Sequence, residues 1–325
     1  MIVVTGGAGF IGSAMIWRLN EAGYTNILVI DDLGEDEKWK NLTKRKFVDI
    51  IAIKSGLSFV EKNISSIKAI FHMGACSATT EKNVDYLLEN NFRYSAELYK
   101  LCAEYKSSFF YASSGATYGA EEKDFSDLDA GKKLLAPINP YGFSKELFDR
   151  WVSNQKKAPK HWAGFKFFNV YGPNEYHKKK QSSVVNQAYA QIQKTGTLKL
   201  FKSHRQDFSD GEQRRDFIYI KDVVEVMYEV FQRKSSLING VYNLGTGKAR
   251  SFNELAKAIF SALGSAPSIE YIDTPEEIRN QYQYFTEAKM DRLFDQGFDL
   301  LRFKNLEDGV KDYVQCFLSK EDPYL

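Results

Sequence analysis

The chain has 325 residues, of which 43% are hydrophobic and 26% charged, and a formal net charge of +2. That length supplies ample core for one large domain or two modest ones, and the charge argues against a nucleic-acid binder or a membrane-surface protein. Three cysteines, Cys76, Cys102 and Cys316, with no close pair and no histidine at ligand spacing, argue against a disulfide framework or a zinc site.

Met1-Ile2-Val3-Val4 runs directly into a glycine loop with no basic region before it, so no secretory signal is expected. No apolar run approaches the roughly 20 residues that span a bilayer. The expectation is a soluble, cytoplasmic protein with neither a membrane nor a nucleic-acid partner.

In the first half, short apolar runs alternate with helical patterns. Residues 2–4, 27–31, 69–72 and 109–113 read as buried strands, and 11–22 and 86–105 carry apolar residues at helical spacing. This alternation predicts an α/β fold, a doubly wound parallel sheet of the Rossmann kind, with ligands at the carboxyl ends of its strands. After about residue 170 the pattern changes. The stretches 178–180 and 202–215 are polar and charged, 217–220 and 241–244 are again strand-like, and a helical pattern runs from 222 to 232. A second, smaller α/β substrate-binding domain follows from this. The expected division is 1–168 plus about 215–247 for the dinucleotide, and about 169–214 plus 248–325 for the substrate.

The first strand ends in Thr5-Gly6-Gly7-Ala8-Gly9-Phe10-Ile11-Gly12, a G-x-x-G-x-x-G with glycines at 6, 9 and 12. A dinucleotide needs a tight turn here, a bare backbone beside its pyrophosphate, and a helix N-terminus with free N–H groups. Asp31 and Asp32 follow at the end of the second strand. Asp31 stands where a ribose 2′-hydroxyl would be held, which favours NAD, whereas Lys38 just beyond could meet a 2′-phosphate. These residues leave NAD and NADP both open. The string Met73-Gly74-Ala75-Cys76-Ser77 follows the 69–72 strand, so its backbone should border the cofactor.

A catalytic set lies further on. The fourth strand leads into Ser113-Ser114-Gly115-Ala116-Thr117-Tyr118, and later comes Tyr141-Gly142-Phe143-Ser144-Lys145. On a helix Tyr141 and Lys145 lie one turn apart on one face. The ammonium should favour phenolate, so that Tyr141 can take a proton from a sugar hydroxyl while Ser114 holds the same oxygen. Thr117 and Tyr118 read as structural, and His72 as a satisfied core residue.

These motifs identify an extended short-chain dehydrogenase/reductase, and nearly the whole chain resembles the ADP-L-glycero-D-manno-heptose 6-epimerases within that group. The strings Gly-Ala-Cys-Ser-x-Thr-Thr-Glu at 74–81 and Phe-Phe-Asn-Val-Tyr-Gly-Pro at 167–173 are the most particular. The resemblance implies tightly bound NADP, touched by Phe10, Ile11, Asp31, Asp32, Lys38, Ala75, Asn90, Tyr141, Lys145 and Val170, with Lys54 and Lys178 added. It implies an ADP-heptose substrate held by Ser114, Asn169, Phe201, Arg215 and Tyr282. Lys178, Lys180 and Gln187 fall at further substrate-contacting positions, and Lys178 would be a second acid/base opposite Tyr141. It also implies a homo-oligomer, a pentamer in the family's described members. The reaction implied is transient oxidation at carbon six and re-reduction on the other face, serving lipopolysaccharide inner-core synthesis.

The chain departs from the family pattern at Asn174, where arginine is usual, at Lys180 and Gln187, and in a longer 202–214 stretch. Lys178 has a plain alternative, since Lys178, Lys179 and Lys180 could form one solvated basic loop. Among rival reactions, a 4,6-dehydratase needs an acid and a base after the serine, where this chain has Gly115 and Ala116. A nucleotide-hexose 4-epimerase of the UDP-glucose type keeps the same triad and is opposed only by the heptose-type strings. A reductase with net redox would need an exchangeable cofactor, and non-catalytic relatives typically lose the Tyr/Lys pair that is intact here.

Overall fold

The computed structural model describes the chain except residues 122–123, 129, 132, 234–238, 280–281 and 299–301, together with the side chains of 277 and 278. Twelve strands are found among the described residues. They are β1 (Ile2–Thr5), β2 (Ile27–Ile30), β3 (Asp49–Ile51), β4 (Ala69–His72), β5 (Ser108–Ser114), β6 (Trp162–Phe167), β7 (Asn169–Tyr171), β8 (Leu198–Phe201), β9 (Arg214–Tyr219), β10 (Gly240–Leu244), β11 (Ala249–Ser251) and β12 (Ile269–Ile272).

Seven of these make one sheet in the order β10-β6-β5-β4-β1-β2-β3, and every pairing in it is parallel. Alternate residues point to opposite faces. Val4, Val29, Phe71, Phe110 and Phe165 therefore enter one core with the helices Phe10–Glu21 and Ile220–Gln232. Val3, Leu28, Ile70, Phe109, Tyr111 and Val241 enter a second core with the helices Tyr94–Tyr105 and Pro140–Ser153. Both faces are covered, which is why these strands read as continuous apolar runs.

The remaining strands build two small sheets, β11-β9-β7 and β12-β8. The strand expected near 217–220 is β9, and it pairs with β7 and β11 and not with the large sheet. The return to the first unit thus begins with helix Ile220–Gln232 and is completed by β10. The predicted helix at 86–105 is continuous in direction but contains a π-helical turn at Leu88–Arg93. One extra residue in that turn swings Asn91 inward, as such bulges commonly do beside functional sites.

One glycine of the sheet decides how the catalytic strand is braced. A Cβ at Gly164 in β6 would lie 2.2 Å from Cζ of Tyr111, whose ring crosses that position in the neighbouring strand. Gly164→Ala is therefore expected to displace Tyr111 and to cost about 1–3 kcal/mol by overpacking. Urea denaturation reads this directly, and an unchanged midpoint would contradict it.

Candidate functional site

A cleft of about 770 Å³ opens at the carboxyl ends of β1, β2, β4, β5 and β6. All of the expected cofactor residues except Asp32 and Lys54 line it. These are Gly6, Gly9, Phe10, Ile11, Gly12, Asp31, Lys38, Met73, Gly74, Ala75, Cys76, Ser77, Asn90, Tyr141, Lys145, Val170 and Lys178. Its floor is the crossing point of the sheet, where β1 is flanked by β2 on one side and β4 on the other.

The glycine loop is a cradle that side chains would fill. Gly6 has φ +62°, and a Cβ there would lie 2.6 Å from the Gly74 backbone. A Cβ at Gly12 would lie 2.1 Å from the Gly6 carbonyl oxygen. The helix begins at Phe10 with no side-chain cap at Gly9, so its first N–H groups face the cleft. Asp31 is buried; one carboxylate oxygen accepts from Ala8 N–H at 2.9 Å, and the other pairs with Lys38 Nζ. The hydroxyl of Tyr94, which also lines the cleft, is buried without a hydrogen-bond partner. Bare glycines, a free helix terminus, an acidic residue beside a lysine and an orphaned hydroxyl together fit an adenine dinucleotide.

Asp32 instead caps the next helix, accepting from Ile53 N–H at 3.0 Å. Ile53 lines the cleft and Lys54, one residue on, points to solvent. Successive residues of a helix diverge by about 100°, so a shift of one position moves the side chain off the site.

Ser114, Tyr141 and Lys145, the candidate catalytic set, meet on the lining of this cleft. Ser114 ends β5 and lines the cleft with Tyr141, whose ionised form its hydroxyl favours. Asn139 caps the helix carrying Tyr141 and Lys145, accepting from Gly142 N–H at 2.8 Å, with Pro140 in the first turn. Lys145 Nζ donates to the Ala112 carbonyl at 2.8 Å. Burial lowers Lys145 to about 8, against the pull of the Asp149 carboxylate. Burial also raises the Tyr141 hydroxyl above the ordinary phenol value, and the Ser114 hydroxyl opposes that shift. Lys145 was expected to favour the phenolate; the effect that opposes desolvation at Tyr141 comes instead from Ser114.

Behind this pair lies a buried charge cluster that the sequence reading missed. Asp149 accepts from Tyr111 at 2.8 Å, Ser113 at 2.6 Å and Lys166 Nζ at 2.7 Å. Lys166 also donates to Thr117 at 2.7 Å and lies 3.6 Å from Glu146, whose carboxyl burial raises to about 7. Thr117 and Tyr118 are structural as expected, Tyr118 donating to Asn243 at 2.8 Å. Asn91 was missed as well. Its side chain bonds Cys76 N–H and Cys76 C=O and donates to Ser144 at 3.0 Å, tying the 73–77 segment to the Tyr141 helix. Asn91 adjoins the expected cofactor residue Asn90, and Asp149 lies one helical turn beyond Lys145, which was the available signal.

His72 is a satisfied core residue, bonded to Thr5 at 2.6 Å and Ser95 at 2.8 Å, and burial lowers it to about 3.

The three consecutive lysines separate cleanly. Lys178 lines the cleft, half-buried, with Nζ 5.7 Å from the Phe10 ring centroid, and burial lowers its pKa. Lys179 is exposed and pairs with Asp36 at 2.7 Å, and Lys180 is exposed. The solvated-loop reading thus holds for Lys179 and Lys180 but not for Lys178. Asn169 lines the cleft too, whereas Lys180 and Gln187 do not; the Gln187 amide bonds the carbonyls of Ser182 and Lys180. Phe201, Arg215 and Tyr282 form a cluster outside the cleft lining. The Arg215 guanidinium lies 5.3 Å from the Tyr282 ring centre, and Phe201 lies 6.1 Å from Tyr282.

A parallel sheet with a dinucleotide cradle and a Ser–Tyr–Lys set defines a nicotinamide-dependent sugar-nucleotide enzyme, and the chain belongs to the NAD dependent epimerase/dehydratase family, whose model matches residues 2–245. It is 51% identical over 327 residues to the ADP-L-glycero-D-manno-heptose-6-epimerase of Nitratidesulfovibrio vulgaris strain DP4, covering 100% of both chains. It is 48% identical over 336 residues to the enzyme of the same name from Fusobacterium nucleatum subsp. nucleatum, again with 100% of both covered. Among solved structures it matches the Helicobacter pylori ADP-L-glycero-D-manno-heptose-6-epimerase with a TM-score of 0.79 at 30% identity, covering 98% of this chain and 96% of that one.

Two outcomes follow from the burial of these groups. The ring protons of His72 are expected not to titrate between pH 5 and 8 by NMR; an inflection in that range would contradict its neutral, bonded state. Lys145 has a folded pKa near 8 against an ordinary 10.5, so the folded state binds fewer protons than the unfolded one between those values. Stability conferred by this group rises with pH across that window. The parent should gain on Lys145→Met in denaturant midpoint from pH 8 to 10, and a constant difference would refute it.

Proposed function

We propose that the protein converts ADP-D-glycero-β-D-manno-heptose to ADP-L-glycero-β-D-manno-heptose by oxidising and re-reducing carbon six, for lipopolysaccharide inner-core synthesis. The observation that carries this is the placing of two proton-transfer groups, Tyr141 and Lys178, on the lining of one cleft beside the dinucleotide cradle. Inverting a carbinol centre through a ketone requires hydride to return to the opposite face, so the ketone must turn, and a second acid/base on the same lining can serve its oxygen in the turned position. Full-length relatives of the same name at 48 and 51% identity support the substrate.

In this reading Tyr141, beside Ser114 on the cleft lining, takes the proton of the carbon-six hydroxyl. Lys145 holds the Tyr141 side chain's surroundings positive through its fixed bond to Ala112. Bound nicotinamide supplies the acceptor and donor of the hydride. Carbon six is exocyclic, so the ketone can turn and meet Lys178, which returns a proton to the oxygen on the other face. Burial keeps Lys178 closer to neutrality than a surface lysine, which suits a group that must both give and take a proton. No net redox occurs, so the cofactor need not leave.

The cofactor proposed is NADP, held by the cleft residues above. Lys38 beside Asp31 supports the 2′-phosphate, since it brings a cation to the carboxylate that would otherwise hold a free ribose hydroxyl. The substrate's ADP is assigned to the small sheets, with Asn169, Phe201, Arg215 and Tyr282 as contacts. Cytoplasmic location and a homo-oligomer, by resemblance a pentamer, complete the reading; no helix among the described residues is long and apolar enough to cross a membrane.

Denaturing the purified protein should release NADP. Incubation with the D-glycero substrate should yield the L-glycero epimer, and turnover of UDP-glucose alone would overturn the assignment. Tyr141→Phe should lose about 10²–10⁴-fold in turnover.

A further inference from the structure

Lys178 stands in a short 3-10 turn, Tyr176–Gln181, within the connection between β7 and the helix Val184–Thr195. Connections between elements are ordinarily mobile, yet this one is fastened to the cofactor cradle, chiefly through the buried residue Asn174. Asn174 has φ +77° and is fully buried. Asparagine tolerates that left-handed conformation better than other non-glycine residues, and such a turn persists only where its surroundings hold it.

Both polar side-chain atoms of Asn174 and its carbonyl are bonded. Its side-chain Nδ2 donates to Ser13 Oγ at 3.0 Å, on the helix that follows the glycine loop. Its Oδ1 accepts from Leu325 N–H at 3.0 Å. Its carbonyl accepts at 3.0 Å from Asn41 Nδ2, which also donates to the Ala8 carbonyl at 2.8 Å and lies 3.2 Å from His177 Nδ1. Asn41 is itself buried. One pair of amides thus joins the backbone of the glycine loop, the helix behind it, and the residue preceding Lys178. The next residue, Glu175, anchors the other side of the turn through Ser183 Oγ at 2.6 Å and Tyr313 at 3.0 Å. Asn174, Asn41, Ser13, Glu175 and Tyr313 are all buried, so their bonds are made in a low-dielectric interior where leaving one unmade is costly.

We propose that Asn174, acting with Asn41, is a positioning residue that fixes Lys178 against the glycine loop, so that the second acid/base is placed by the same backbone that cradles the cofactor. The inference rests on the reading of Lys178 as that acid/base. It also accounts for the departure from arginine at 174. The position is a buried bridge within the protein, not a contact to substrate.

A double-mutant cycle tests it. Asn174→Gly keeps the left-handed backbone and removes both side-chain bonds; Ser13→Ala, which removes only one partner, serves in its place if the glycine variant does not fold. Turnover, KM, nicotinamide content and melting temperature are measured for the variant, for Lys178→Met and for the two combined. Asn174→Gly is expected to lose between about tenfold and a hundredfold in kcat with KM and bound nucleotide little changed, the scale expected of misplacing a reacting group by about 1 Å. In the Lys178→Met background the same substitution should have almost no further effect. Full multiplication of the two losses, or parental kcat in Asn174→Gly, would overturn the positioning role while leaving Lys178 in place. Parental activity in Lys178→Met would remove both inferences, and is told apart by that single variant.

Discussion

The site depends on two backbones meeting where no side chain can fit. At the crossing point of the sheet the turn after β1 and the turn after β4 approach so closely that a Cβ on Gly6 would overlap the Gly74 main chain. Thr5 reinforces the contact, since its hydroxyl accepts from Gly74 N–H at 3.2 Å while it bonds His72. From this contact the rest follows geometrically. The glycine loop presents a bare floor, the helix from Phe10 starts facing it, and the 73–77 segment is laid along one wall. A neutral His72 is part of the joint, and a charged one would place an unpaired cation in the sheet.

The opposite wall is held by charge and not by close backbone contact. Asp149 and Lys166 are both fully buried, a costly arrangement unless each is saturated with partners. Tyr111, Ser113 and Thr117 supply those partners from the catalytic strand and the turn after it. The cluster therefore clamps the end of β5 to the helix of Tyr141 and Lys145, setting the distance between Ser114 and Tyr141. Gly164 belongs to this logic, because only an absent side chain lets the Tyr111 ring reach across β6 toward Asp149. Removing one member of such a cluster leaves another buried and unpaired, so its parts are expected to behave as a unit.

The first half of the chain was legible because parallel strands covered on both faces must be apolar throughout, and because the glycine loop and Tyr-x-x-x-Lys are local patterns. Strands β3 and β6 escaped notice for physical reasons. Residues 49–51 lie at the edge and are partly exposed, and β6 is interrupted by Gly164 and by Lys166, a charge whose partners are distant in sequence. The division of the second half was less legible. Strand β9 is as apolar as the strands of the large sheet, yet it pairs elsewhere, since periodicity reports burial and not which sheet a strand joins. Asn91 depends on a π-helical turn, and Asn41 and Asn174 on contacts between segments 133 residues apart. Among the consecutive lysines only the fold tells which one turns inward.

That the chemistry stays with epimerisation is not a matter of space. A Cβ at Gly115 would meet its nearest atoms at 3.5–3.6 Å, an ordinary contact, and the backbone there needs no positive φ. An acidic side chain at 115 is thus sterically admissible at the turn following Ser114, but none is present, and Ala116 offers only its N–H, which bonds Ser114 Oγ at 3.1 Å. Elimination of water from a sugar needs an acid for the leaving hydroxyl and a base for the carbon-bound proton at neighbouring carbons. The groups provided here are instead a phenol and an amine lining one cleft, suited to a single oxygen presented twice. In the proposed mechanism it is therefore the proton-transfer groups that set epimerisation apart within a family whose fold and dinucleotide cradle are common to both outcomes.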